Sequence, residues 1–357
     1  MALRDIFKFI PEVRKPEEKK LEFNTKLKWT LIILISFFAL SNIPLYGLSA
    51  NSLQRFEFLA TILAAEFGSL ISLGIGPIVM ASIVLQLLAG SGIINIDTST
   101  AEGKKFFQGI QKIMVFFFIL FEAVIYVSMQ GLQAMPGLAW LVILQLIIGG
   151  LAIFYMDEVT SKWGFGSGVS LFIAAGVSRQ LFTAAFQFID QQGRNCLINF
   201  GSVQCPGKLF VIVQSIIDKY PVELLSAGAA LISTVLIFLL VVWAQSLKVE
   251  IPLSFGRIRG YNVKWPLSFF YASVIPVILT AALVANLQLF GGLLQTWQGH
   301  PTFLGNIVNG RAVSGFLYWI SSTDIVNAII TGSWQWVLLG QTLLHILFYM
   351  ILAAVFS

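Results

Sequence analysis

The chain has 357 residues, of which 57% are hydrophobic and only 11% are charged, and its mean hydropathy is +0.85. Soluble domains carry about 25% charged residues, so this composition excludes an ordinary soluble protein and predicts an all-α polytopic membrane protein. The formal net charge is +5, and membrane topology accounts for this excess without a nucleic-acid partner.

Residues 1–28 mix acidic and basic side chains and lack the basic stretch and apolar core of a cleavable signal peptide. We expect this segment to be cytosolic and to form a partly amphipathic helix along the membrane face. Insertion into the membrane would then depend on the first spanning helix.

Hydropathy predicts eight membrane-spanning segments in the rest of the chain. They are Trp29–Leu48, Ile75–Leu88, Phe107–Met129, Leu138–Met156, Val169–Ile189, Val222–Leu247, Phe269–Leu289 and Trp336–Phe356. Sixteen of the 22 lysines and arginines fall on the same side as the N-terminus, and six fall on the other side. Because positively charged loops remain in the cytosol, the N-terminus is predicted to be cytosolic.

The second spanning segment is predicted to be broken in two. A short apolar piece at residues 56–67 and the run Ile75–Leu88 are each shorter than the roughly 20 residues that a spanning helix needs. Gly74, Gly76 and Pro77 lie between them, where glycine relaxes the backbone and proline removes a hydrogen-bond donor. We interpret them as a hinge after a half-helix; an ordinary kinked helix is the alternative.

Enzyme motifs are missing from this sequence. It contains no His-Glu-x-x-His and no Gly-x-Ser-x-Gly. Residues 201–208 resemble a phosphate-binding loop only superficially, since the glycine spacing is one residue too long and Leu209 stands in place of Ser or Thr. The two histidines and two cysteines form no metal-ligand pattern, so we expect no catalytic residue, no metal and no cofactor.

An ion-coupled secondary transporter with a discontinuous helix is the main alternative function. Broken helices occur at the midplane sites of such proteins, which also need ionisable groups inside the membrane. Glu122 is the only charge clearly inside a predicted span, and a polar contact between helices explains it equally well. A non-catalytic membrane scaffold is a third hypothesis.

Two loops carry further candidate sites. Cys196 and Cys205 lie in a loop predicted to be outside, where a disulfide can persist; two reduced thiols are the alternative. Arg257 and Arg259 lie between glycines in the predicted cytosolic loop 248–266. These arginines either bind phosphate, which guanidinium groups fit well, or simply fix the topology.

Branched aliphatic residues recur near the predicted middle of three spans, in pairs spaced by three or four residues that share one helix face. The pairs are Ile75 and Val79, Val169 and Ile173, and Ile275 and Ile278. On their own these pairs favour core packing, because Ile and Val fill any membrane interior.

Several stretches, in a consistent order over nearly the whole chain, resemble one family. They are residues 10–13 (Ile-Pro-Glu-Val), 73–79 (Leu-Gly-Ile-Gly-Pro-Ile-Val), 86–94, 107–112, 157–158, 166–176, 256–260 (Gly-Arg-Ile-Arg-Gly), 275–279 and 310–313. With them the chain resembles the SecY-type main subunit of the protein-conducting translocation channel, in its archaeal form (Sec61-alpha-like in eukaryotes).

The resemblance implies a helical bundle of two inverted halves of five helices each. Eight of the ten helices are represented, with the first half at residues 29–189 and the second at 190–357, and we expect helices nine and ten to be missing. It implies a multi-pass protein of the cell membrane that conducts unfolded polypeptides and releases transmembrane segments into lipid. The implied partners are a SecE-type (gamma) subunit, a small beta-type subunit, the ribosome, signal peptides, nascent polypeptide and the lipid bilayer.

The resemblance also implies roles for individual residues. A pore ring, whose branched side chains would exclude water and ions, comprises Ile75, Val79, Val169, Ile173, Ile275 and Ile278. A plug at about residues 56–67 includes Phe58, Ile62, Leu63, Ala65 and Phe67, and its hinge is Gly74, Gly76 and Pro77. A lateral gate includes Glu122, Asn286 and Ile83, with Met80 where many relatives carry a hydroxyl residue. Arg257 and Arg259 are implied to dock the ribosome.

Overall fold

The structure is a computed structural model, and it describes residues 11–17, 21–51, 53, 57–94, 100–190, 193–196, 198, 205–253, 263–268, 274–308 and 311–356. Within these residues the helices are α1 (Phe23–Ser41), α2 (Glu57–Ile62), α3 (Gly76–Gly90), α4 (Ala101–Ser128), α5 (Ala139–Trp163), α6 (Gly168–Phe186), α7 (Lys208–Asp218), α8 (Pro221–Ser246), α9 (Val274–Gln298), α10 (Phe316–Ile320), α11 (Ile325–Ile330) and α12 (Trp336–Phe356).

Three short antiparallel strand pairs lie between the helices in the part of the chain that the structure describes. They are β1 (Leu48–Asn51) with β2 (Leu132–Ala134), β3 (Lys248–Leu253) with β4 (Val263–Ser268), and β5 (Asn306–Val308) with β6 (Arg311–Ser314). Each pair lies between helices, so the fold of the described residues is a helical bundle with small strand pairs in its loops.

Seven of the described helices are long and apolar enough to span a membrane, namely α1, α4, α5, α6, α8, α9 and α12. The eighth predicted span, α3, has only 15 residues. This is the segment that the sequence predicts to be broken, so the number of predicted spans agrees with the structure.

The predicted bounds of the first span are wrong. The helix begins at Phe23 and ends at Ser41, so residues 23–28 belong to it and not to a separate amphipathic helix. Lysines at its start can direct their charge back to the membrane surface, which lets the helix begin earlier. Pro44 follows its end, where proline cannot continue a helix, and Leu48 lies in β1.

The described residues divide into two compact units. The first draws on Met1–Gln180, Ile278–Ser322 and Gln341–Phe356, and the second on Leu181–Val277 and Thr323–Gly340. This division differs from the predicted halves, which stay a prediction.

In the first unit, α3 packs on α4, α4 packs on α5, and α1 packs on α5. Two glycines of α5 allow close approach: a side chain at Gly149 would collide with the carbonyl of Leu70, and one at Gly150 would come within 3.0 Å of Ile119. Phe37 of α1 stacks on Phe172 of α6 with ring centroids 5.0 Å apart. The first unit therefore has a continuous core around α3.

In the second unit, α7 packs on α8, and α11 also contacts α8. The structure joins Cys196 and Cys205 in a disulfide, with their Cα atoms 5.3 Å apart. Both cysteines are buried together with part of Phe210. The predicted pairing is thus compatible with the local chain path; mass spectrometry of non-reduced, alkylated protein would test it.

Candidate plug, pore ring and lateral gate

The candidate plug is a short helix that ends in a tight turn. In α2 and the turn after it, Leu59, Leu63 and Ala64 are buried. The backbone N–H of Ala65 donates to the carbonyl of Ala60 at 2.8 Å, and Ala64 has a φ of +46°, as in helix ends closed by a left-handed residue. Of the other predicted plug residues, Ile62, Ala65 and Phe67 are partly buried, and the side chain of Phe58 lies outside the described residues.

The segment of the predicted hinge contacts the candidate plug directly. The backbone N–H of Ile75 donates to the carbonyl of Leu63 at 2.8 Å. Gly74 has a φ of +55°, and a side chain there would collide with the same carbonyl and come 2.8 Å from Cβ of Ala65. Helix α3 then begins at Gly76 with Pro77 in its first turn, a position where proline costs no hydrogen bond. Plug and hinge therefore form one packed element.

The link between plug and hinge is a hydrogen-bonded turn. The Ser72 hydroxyl accepts from the backbone N–H of Gly68 at 2.9 Å and donates to the carbonyl of Ser69 at 2.5 Å. The side-chain amide of Asn51 donates to the carbonyl of Phe67 at 2.8 Å. These bonds give the buried polar groups of this turn their partners.

Four of the six predicted ring residues share one apolar core. Ile75 and Val79 of α3 are buried, and Val169 and Ile173 of α6 are partly buried against that core. Ile278 of α9 is partly buried. The side chain of Ile275 lies outside the described residues.

The predicted gate residues Glu122, Asn286 and Ile83 are all buried. The amide nitrogen of Asn286 donates to the carbonyl of Ala282 in its own helix at 3.0 Å. Among the described residues, neither carboxylate oxygen of Glu122 nor the side-chain oxygen of Asn286 has a hydrogen-bond partner. Burial of polar groups without partners is costly in free energy.

The carboxylate of Glu122 lies against the hinge. A Cβ atom added to Gly76 would lie 3.0 Å from Oε2 of Glu122. Met80, one turn further along α3, is partly buried. The carboxylate of Glu122, a predicted gate residue, therefore lies next to the start of α3.

Sequence reasoning missed Tyr126, which lies one helical turn after Glu122. It is fully buried, and its hydroxyl has no partner among the described residues. Its ring packs edge-on to Phe67 at a centroid distance of 6.5 Å. The spacing of four residues from Glu122 was the available signal, because such residues share a helix face.

Sequence and structure comparisons identify the family. The SecY family profile matches residues 69–357, and a profile described as the plug domain of Sec61p matches residues 35–68. The SecY protein translocase subunit of Methanothermobacter thermautotrophicus is 43% identical over 91% of this chain and 70% of its own length. This chain belongs to the SecY family. The SecY subunit of Methanocaldococcus jannaschii, 42% identical, matches the same shares of the two chains.

Solved SecY and Sec61 structures confirm the predicted fold. A protein-conducting channel superposes with a TM-score of 0.78 at 38% identity, covering 99% of this chain and 76% of the other. Sec61 in the canine ribosome–channel complex of the endoplasmic reticulum gives 0.77 at 38% identity, with the same coverage. The transporter alternative finds no support in these matches.

A charged cluster joins the N-terminal segment to two helices of this SecY chain, and sequence reasoning also missed it. The carboxylate of Glu158 accepts from Lys112 at 2.6 Å, from Lys162 at 3.0 Å and from the backbone N–H of Val13 at 3.2 Å. Lys162 also contacts Glu12 at 2.8 Å. The cluster fixes residues 11–17 against α4 and α5.

Glu12 makes this attachment sensitive to pH. The hydrogen bond from Lys162, helped by Lys112, holds the pKa of Glu12 below its usual value. A carboxylate with a lowered pKa stabilises the folded state above the ordinary glutamate pKa of about 4.3, and this contribution is lost as pH falls through the lowered value. We expect Glu12→Gln to lower the melting temperature at pH 7, and the difference to shrink and then disappear as the pH falls through the lowered pKa of Glu12. Glu17→Gln, an exposed control in the same segment, should match the unsubstituted chain over the same pH range; a persistent difference for Glu12→Gln in acid would contradict this role.

The predicted ribosome-docking residues Arg257 and Arg259 lie outside the described residues. The strands on either side of them, β3 and β4, pair from Lys248 with Ser268 to Leu253 with Val263. The loop that carries both arginines therefore connects two paired strands.

Proposed function

We propose that this chain is the pore-forming subunit of a translocation channel in the cell membrane, with its N-terminus in the cytosol. Unfolded polypeptides would cross through its pore, and transmembrane segments would leave sideways into lipid. The observation that carries this proposal is the similarity to a solved protein-conducting channel over 99% of the chain. Curated relatives with 42–43% identity are protein translocase subunits.

The proposed mechanism needs no chemical turnover by this subunit. Ile75, Val79, Val169, Ile173, Ile275 and Ile278 would form the ring, and the plug would close the pore below it. Branched aliphatic side chains offer no hydrogen bonds, so a narrow ring of them excludes water and ions while a passing polypeptide finds no polar group to bind. The apolar core shared by Ile75, Val79, Val169 and Ile173 supports this assignment.

The lateral gate would use the unsatisfied polar groups of Glu122 and Asn286. In the closed state these groups are shielded from lipid by the helices that surround them. A signal sequence that separates the helices would offer them new partners and so offset part of their burial cost. Ile83, buried on α3, would pack within the same gate.

The proposed partners are a SecE-type subunit, a small beta-type subunit and a translating ribosome. A structural relative, canine Sec61, was solved in a ribosome–channel complex, which supports the ribosome as a partner. Signal peptides, nascent chains and the lipid bilayer complete the set. Crosslinking a stalled secretory chain to a probe at Ile75 separates this function from a transporter or a scaffold, neither of which would give the crosslink.

Polar substitution of the ring tests the pore. We expect Ile75→Asn combined with Ile278→Asn to wet the constriction and raise the ion conductance of the reconstituted channel several-fold. Ile93→Asn, a matched change at an exposed position in the turn after α3, should leave conductance unchanged. Equal conductance of the double variant and the control would remove Ile75 and Ile278 from the ring.

Charge reversal tests ribosome docking. We expect Arg257→Glu with Arg259→Glu to weaken co-sedimentation with ribosomes and to flatten its salt dependence, because phosphate contacts release counterions. Lys104→Glu with Lys105→Glu changes the same charge at the exposed start of α4 and should keep the original salt slope. If both double variants retain that slope, the loop arginines serve topology only.

A further inference from the structure

Helix α7 exposes several apolar side chains and buries two polar ones. Leu209, Val213, Ile216 and Ile217 are each more than a third exposed. Gln214 and Ser215, by contrast, are buried. A surface helix of a soluble protein shows the opposite distribution, so the outward face of α7 requires a different explanation.

The inward orientation of the polar face is fixed by specific contacts. The side-chain oxygen of Gln214 accepts from the backbone N–H of Cys205 at 3.1 Å, and Cys205 is joined to Cys196. Phe210 packs on the same two cysteines. Rotation of α7 about its axis would break these contacts, so the apolar face stays outward.

The exposed apolar residues form a single stripe. Their positions, i, i+4, i+7 and i+8 from Leu209, fall on one side of an α-helix. Lys208 and Lys219 lie exposed at the two ends of the helix. An apolar stripe with lysines at its ends is the pattern of a helix that lies in a membrane interface.

The stripe is continuous with a membrane-spanning surface. Only Lys219 and Tyr220 separate α7 from α8, which is apolar and long enough to span the bilayer. Val222 and Leu225 in the first turns of α8 are more than half exposed, as is Tyr220. Tyrosine is enriched at the level of the lipid headgroups, so Tyr220 marks the depth at which α7 meets the end of the span.

We propose that α7 is an interfacial helix whose apolar stripe inserts into the outer leaflet at the boundary between headgroups and acyl chains. Lys208 and Lys219 would extend to the lipid phosphates while their aliphatic parts remain in the apolar layer. The disulfide between Cys196 and Cys205 would lie on the aqueous side of the helix. This role concerns the anchoring of the α7–α8 connection and does not depend on the pore.

Depth-dependent fluorescence quenching tests the proposal on the full chain. Ile217→Cys and Asp218→Cys place one label each at adjacent positions about 100° apart around the helix, with Asp218 as the matched control. The purified chain is labelled without reductant and reconstituted in phosphatidylcholine–phosphatidylglycerol vesicles. The unsubstituted chain, labelled in parallel, measures any background from the native cysteines.

We expect the label at position 217 to be quenched several-fold more by a lipid nitroxide near the headgroup than by aqueous iodide. The label at position 218 should show the reverse preference. Val213→Cys provides a second label on the stripe and should behave like position 217. If iodide quenches positions 217 and 218 equally, the stripe faces water; if neither quencher reaches position 217, a protein covers it. Either result would overturn the proposal.

Discussion

Gly74→Ala should displace the plug from its closed position. This substitution should lower the melting temperature of the chain and raise the ion conductance of the reconstituted channel in the absence of a translocating polypeptide. Gly74 has a φ of +55°, and an alanine held in such a conformation costs about 1–3 kcal/mol. The added methyl group would also press on the carbonyl of Leu63, and overpacking of this kind costs about 1–3 kcal/mol more. This strain is relieved at the lowest free-energy cost if the hydrogen bond from the backbone N–H of Ile75 to the carbonyl of Leu63 breaks. Loss of this bond would free the plug.

Gly92→Ala is the matched control for this substitution. Gly92 has a φ of +74°, yet a side chain there meets no atom within 4 Å. The Gly92→Ala variant therefore incurs only the backbone strain of a positive φ. Its ion conductance should equal that of the unsubstituted chain. If the two variants have the same conductance and the same melting temperature, the contact between Gly74 and Leu63 does not hold the plug.

Glu158→Gln should destabilise the chain by about 2–3 kcal/mol. Its carboxylate is 9% exposed and pairs with Lys112 and Lys162, which are 22% and 12% exposed. Removing one partner of a fully buried ion pair costs about 3–5 kcal/mol. The partial exposure of both lysines reduces this figure, because water screens the charges that remain. The glutamine keeps the shape of the side chain, so the loss reports on charge; thermal denaturation of the purified chain measures it.

Asp190→Asn is the control for ion pairing in general. Asp190 contacts Arg194, four positions further along the chain, at 3.2 Å, and the two side chains are 26% and 50% exposed. Exposed pairs of this kind contribute at most about 1 kcal/mol. If Glu158→Gln and Asp190→Asn lower the free energy of unfolding by equally small amounts, Glu158 does not organise the charged cluster.

Local sequence signals predicted much of this molecule. Apolar runs predict spans because lipid offers no hydrogen bonds to an exposed backbone. The predicted hinge is marked by Gly74, Gly76 and Pro77. Glycine is favoured at the positive φ of position 74, and proline fits the first turn of α3 without losing a hydrogen bond. The start of α1 was misplaced because lysines, which lower hydropathy, are tolerated at a helix end near the membrane surface.

Contacts between distant parts of the chain could not be predicted in the same way. Val13 and Glu158 are 145 positions apart, and Arg179 contacts Glu66 at 2.6 Å across 113 positions. Hydropathy and spacing describe each partner alone and contain no information about such pairing. Tyr126 was overlooked because an aromatic residue in a span is usually a packing residue, and only the tertiary fold places Phe67 against it.

The hydrogen bond between Leu63 and Ile75 also restrains the movement of the proposed plug. While it holds, the intervening residues are folded into a compact turn. Once it and the turn around Ser72 open, the 11 residues from Ala64 to Gly74 become a tether that extends to about 36–40 Å at 3.3–3.6 Å per residue. That reach exceeds the roughly 30 Å thickness of the hydrocarbon core. If α2 is the plug, as proposed, the tether on the hinge side is long enough for α2 to leave the pore while α3 stays in place, so the length of this tether would not limit opening.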